Sequence, residues 1–174
     1  GLFSLGQTPY LQEIANTQRL LGDWEQSHKA LDQFYMVNEK NFGEKDLRML
    51  PIIESMLDWH AESYNVRDPR DSFPSLSAME RLAAKMHIIL DDSADLGDPS
   101  TPEKYLRIGK IQYMLARHIK DFGLPQESGM SITTDRYATE RNSPLTSHNY
   151  YSRGSAALQK VVKSVMEQKP PILL

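Results

Sequence analysis

Along most of the chain apolar residues return every three or four positions, the spacing of one buried helical face, and no stretch alternates as a strand would. Thr8-Pro9 predicts a helix start, with a capping oxygen on Thr8 and a proline where no helical amide is lost. Leu11, Ile14, Ala15, Leu21, Trp24, Leu31 and Phe34 then mark an inward side. Gly22-Asp23 interrupts that run. Glycine inside a helix costs about 1 kcal/mol relative to alanine, so the pattern predicts two helices, about 9–21 and 24–39, folded back on each other.

Asn41-Phe42-Gly43 ends the second of these. The next face is Leu50, Ile53, Met56, Leu57, His60 and Tyr64, and Pro51 confines that helix's start to 47–50. A polar loop at 67–71 runs to Phe73-Pro74, and Ser77-Ala78-Met79-Glu80 has the form of a capping box opening a helix with Met79, Leu82, Ala83, Met86, Ile89 and Leu90 inward. After an acidic loop at 91–99, Thr101-Pro102-Glu103 opens a helix carrying Ile108, Ile111, Leu115, Ile119 and Phe122, closed by Gly123-Leu124-Pro125. Residues 125–153 are polar and aperiodic, predicting a long loop with a short helix near 135–141. A last helix is expected from Ser155, with Leu158, Val161, Val162, Val165 and Met166 inward. The fold class predicted is all-α, helix-turn-helix units in a single domain at 1–174.

Composition narrows the function classes. A net charge of −3, with 20 scattered Lys and Arg, gives no basic field for nucleic acid. No apolar run reaches the roughly 18 residues of a membrane span. The absence of cysteine removes disulfides, thiolate nucleophiles and Cys-based zinc sites. It leaves the compartment open. A first residue Gly1 rather than Met suits either a cytoplasmic chain or, with an export signal trimmed, a periplasmic or secreted one.

An internal echo carries the next step. Leu11-x-x-Ile14-Ala15-x-x-Gln18-x-Leu20-Leu21 aligns with Tyr105-x-x-Ile108-Gly109-x-x-Gln112-x-Met114-Leu115. A small residue flanked by large ones lets a partner helix approach closely while the large ones fill the flanking space. Residues 8–43 resemble a tetratricopeptide repeat, the 34-residue helix-turn-helix unit. The resemblance lies in the large-large-small set Leu11, Ile14 and Ala15, in the turn Gly22-Asp23-Trp24-Glu25, and in Ser27 with Leu31. Gln18, Phe34 and Glu39 depart from it, standing where an aromatic, an Ala and a Pro are usual. Further units follow at about 47–92 and 101–145, with a capping helix at 154–168.

The resemblance implies a short superhelix whose first helices line a concave surface that captures a protein, a peptide or a partner helix. Carried across, the groove-facing residues are Gln12, Asn16, Arg19 and Leu20 in the first unit, and Lys110, Tyr113 and Met114 in the third. This reading calls for no catalytic residue, metal or cofactor and leaves the oligomeric state open. Two alternatives stand beside it. Asp91-Asp92-Ser93-Ala94-Asp95 spells DDxxD, which in Mg²⁺-dependent enzymes holds a metal against a diphosphate, although the second metal motif such enzymes need is absent. The chain also suits a structural module of a larger protein. Glu25-x-x-His28 has di-iron spacing but no second copy. The five histidines fall about one per helix and form no i, i+4 pair, so each is expected half-buried and bonded to a neighbour.

Overall fold

The computed structural model describes residues 3–68, 71–93, 99–123 and 146–167. The described residues form helices and turns with no strand. The helices are α1 (Thr8–Leu20), α2 (Trp24–Phe42), α3 (Leu50–Val66), α4 (Phe73–Asp92), α5 (Thr101–Phe122) and α6 (Thr146–Glu167), with 3₁₀ turns before α1 and α3. Among the described residues no helix is long and apolar enough to cross a membrane.

Consecutive helices pack in pairs: α1 on α2, α3 on α4 and α5 on α6, with α4 also packed along α5. Ion pairs also link helices of different hairpins. Arg19 of α1 reaches Glu62 of α3, and Asp58 of α3 meets Arg107 of α5 at 2.5 Å. Lys85 of α4 holds Glu39 of α2 at 3.0 Å, and Lys160 of α6 holds Asp91 of α4 at 2.6 Å.

The Gly22-Asp23 turn works as its chemistry requires. Gly22 takes a left-handed φ of 79°, which ends α1 without a Cβ clash, and the Asp23 carboxylate accepts the Gln26 amide at 3.0 Å to cap α2. Small residues set the closest helix approaches. Ala15 of α1 is buried, and Ser27 of α2 donates from its hydroxyl to the Ala15 carbonyl at 2.7 Å while accepting Trp59 Nε1 of α3 at 2.7 Å. Gly109 of α5 crosses α6 so closely that a Cβ there would sit 3.3 Å from the Leu158 side chain. A Cβ on Gly154 would likewise stand 3.3 Å from the Gly109 carbonyl oxygen. The echoed small positions are the ones at which the helices of a hairpin touch.

Three expectations change. α4 starts at Phe73, not at the apparent capping box of Ser77. Pro74 is tolerated in a first turn, and burial of Leu76 draws that turn into the core. α6 starts at Thr146, not Ser155, because its polar opening turns pack Tyr150 inward and bring Gly154 onto Gly109. Thus α6 is paired with α5 rather than standing alone as a cap. Leu158, Val162 and Val165, expected inward, are exposed, as are Ile14 and Leu21. The expected helix at 135–141 lies outside the described residues.

Candidate functional site

The last turns of α5 present Tyr113, Met114, Arg117, His118, Asp121 and Phe122 around a cavity of about 310 Å³, to which α3 contributes Tyr64. The i, i+1, i+4, i+5 spacing of these residues places them on one broad stripe of the helix. The Gly109–Gly154 crossing one turn earlier fixes α5 against α6, and the Tyr113 ring lies 5.7 Å from that of Tyr151. His118 forms the buried wall. Its ring stands 5.5 Å from Phe73 and 5.0 Å from Phe122, and its Nδ1 is 3.4 Å from the Tyr64 hydroxyl. Burial pushes the His118 pKa below the usual value against the opposing pull of Asp121, which favours a neutral imidazole. At the rim Arg117 Nε faces Asp121 at 3.5 Å.

The chemistry on offer is adhesive. An apolar, aromatic lining with two tyrosine hydroxyls and a charged rim suits a large apolar side chain flanked by a polar group.

The residues expected to bind a partner divide between two helices. On α1, Gln12, Asn16 and Leu20 are exposed, and Arg19 is half-buried in its pair with Glu62. On α5, Lys110 and Tyr113 are exposed and Met114 is half-buried. Tyr113 and Met114 line the cavity. The other five do not, and α3, ion-paired to both, lies between the α1 set and the α5 set. The sequence reading missed Tyr64, Arg117, His118 and Asp121 as site residues. The available signal was the crowding of Tyr64, Phe73, His118 and Phe122 at element ends, which core packing alone would also produce.

The acidic motif separates on folding. Burial pushes the Asp91 carboxyl up, but hydrogen bonds from Lys160 and from the Tyr105 hydroxyl (2.8 Å) outweigh it and hold it below the ordinary value. Asp92 instead turns to Lys45 at 3.1 Å. Asp91 and Asp92 are thus engaged by separate lysines. Asp95 lies outside the described residues. Glu25 pairs with Lys29 and His28 with Asp32, so the Glu-x-x-His spacing is spent on local ion pairs. Among the described residues no group of three His, Asp or Glu could hold a metal.

His28, His87 and His118 each bond to a neighbour, whereas His60 differs. His60 is buried among Trp59 (5.0 Å between rings) and His28 (5.4 Å), and its Nδ1 has no hydrogen-bond partner. Burial first, then the His28, Arg81 and Arg67 charges, pushes its pKa down to about 4.

Comparison with protein-family models, with curated proteins and with solved structures finds no match to this chain.

Proposed function

We propose that the chain is a non-catalytic protein-interaction scaffold of the tetratricopeptide kind, whose paired helices leave a concave face lined by α1, α3 and α5. The observation that carries this reading is the aromatic cavity of about 310 Å³ between α3 and α5, bordered by the exposed Tyr113. It has the size and lining of a seat for one or two large side chains of a peptide or partner helix. Gln12, Asn16 and Lys110 extend the same face as adaptable polar contacts, and the Arg19–Glu62 and Arg107–Asp58 pairs fix the spacing of its helices.

A random peptide library displayed on phage and selected on the full chain tests the proposal. Enriched peptides should share a large apolar residue, and Tyr113→Ala with Met114→Ala should reduce their binding at least tenfold while leaving the melting temperature within a few degrees. Enrichment of no motif, or of peptides indifferent to both substitutions, would remove the cavity from any binding role.

A further inference from the structure

A second surface lies on the opposite side of α1 from the proposed groove. Tyr10, Ile14 and Leu21 recur at helical spacing and are 73%, 47% and 73% exposed. The echo between α1 and α5 identifies what such a surface is built for. Ile14 aligns with Ile108 and Leu21 with Leu115, which are each 3% exposed. These α5 residues lie between groups whose neighbours are known. Tyr105 meets His87 and Asp91 of α4, Lys104 and Arg107 meet Glu54 and Asp58 of α3, and His118 meets Phe73 of α4. The face of α5 holding Ile108 and Leu115 is therefore the one covered by the preceding hairpin. On α1 the same face is open.

The far end of the molecule also exposes apolar residues: Leu158, Val162 and Val165 of α6 are open among Ser155, Gln159 and Lys163. The α1 stripe is set apart by its register, since the aligned face of α5 is covered by a helix of this same chain.

We propose that the Tyr10–Ile14–Leu21 face of α1 is a docking surface for an amphipathic helix of α4's kind, packed antiparallel to α1 as α4 packs on α5. The occupant has an apolar stripe spaced like Leu76, Ala83 and Leu90, buried residues of α4 that share a helical face with His87. Its small central residue admits the Ile14 side chain, and its large ones cover Tyr10 and Leu21. This surface is independent of the cavity on α5.

The chain's own α4 supplies the probe, and the lack of native cysteine supplies a clean background for cross-linking. A second copy of residues 72–93 is fused ahead of the full chain through a flexible Gly-Ser linker. A tether of that kind holds the helix at an effective concentration of roughly millimolar, which offsets the poor stability of a lone helix. With His87→Cys in the fused copy, a disulfide should form at least tenfold faster to Leu11→Cys, the counterpart of Tyr105, than to Gln12→Cys on the groove side. Fusion should raise the melting temperature by several degrees. Ile14→Asp with Leu21→Asp should abolish both effects, whereas Val162→Asp should leave them. Equal cross-linking rates at 11 and 12 would overturn the proposal. So would a concentration-dependent dimer of the unfused chain that Ile14→Asp dissolves, since that assigns the face to a second copy.

Discussion

α1 and α5 carry the same register of large, small and apolar residues, yet they occupy different environments. α5 is enclosed: α4 packs along it, α3 reaches it through the Asp58–Arg107 pair, α6 crosses it at Gly109, and Tyr105, Ile108 and Ile111 are buried. α1 touches α2 through Ala15 and α3 through one ion pair, and the apolar side equivalent to the covered face of α5 is open. A hydrophobic stripe therefore records what a helix can bury, and its neighbours decide what it does bury. Stability should be unevenly distributed as a result, with the α3–α6 block firm and α1 the element most easily released.

Truncation gives the largest contrast. Leu115→Ala should cost about 2–5 kcal/mol by opening a cavity, and Leu21→Ala at the aligned position should change stability by less than about 0.5 kcal/mol. Urea unfolding of the two variants measures both, and equal losses would contradict the contrast.

Acid should separate the two ends next. His60 is held at about 4 when folded, against 6.5 when unfolded, so below pH 6.5 the unfolded state binds a proton the folded state refuses. Stability is thus complete above pH 6.5 and falls as pH drops toward 4, by about 3 kcal/mol from this group. His87 and His118, whose pKa values are also pushed down by burial, act in the same direction. The Asp91 carboxyl lies below its ordinary value, so its contribution with Lys160 is lost only below the usual carboxylate range. Trp59 lies against His28 and His60 and Trp24 stacks edge-on against Trp59 where α2 meets α3, so the fluorescence of both tryptophans reports that contact. Their emission should shift before helix content is lost on acidification, and His60→Phe should remove the early step.

A smaller effect sharpens the enclosed side of the comparison. Gly109→Val places branched carbons against Leu158 and the Gly154 backbone and should destabilise by about 1–3 kcal/mol, lowering the thermal midpoint. Least of all, Arg19→Gln removes a partly exposed ion pair and should cost no more than about 1 kcal/mol. That loss should shrink as salt is raised, since screening already weakens the native pair.

Local chemistry made much of the fold legible. Gly22, Gly43 and Gly123 each take a positive φ at the places where the pattern ends a helix. Pro9 and Pro102 fall in first turns, where no helical amide is lost, but the expected Thr8 cap does not form. Thr8 lies inside α1 and its hydroxyl donates to the Leu5 carbonyl, and Ser100 precedes α5 without a side-chain cap. The starts of α4 and α6 were not legible. A capping-box pattern at Ser77 and a glycine at 154 look like beginnings, and burial of Leu76 and the Gly109–Gly154 approach carry both helices through them. Of the candidate site, Tyr113 and Met114 were named from the register of α5. Tyr64, His118 and the cavity between them depend on where α3 ends relative to α5, a distance no local pattern encodes.

The sequence by itself determined that the described chain is helical, where most of its turns lie, and that Ala15 and Gly109 occupy equivalent small positions on two helices of one register. Those features follow from backbone conformation and side-chain volume, which act within a few residues. Only the tertiary structure decided that Ile108 and Leu115 are covered while Ile14 and Leu21 are not, that Asp91 is taken by Lys160, and that His60 Nδ1 is buried without a hydrogen-bond partner. Burial and ion pairing are properties of what lies opposite, and what lies opposite is set by the packing of whole helices.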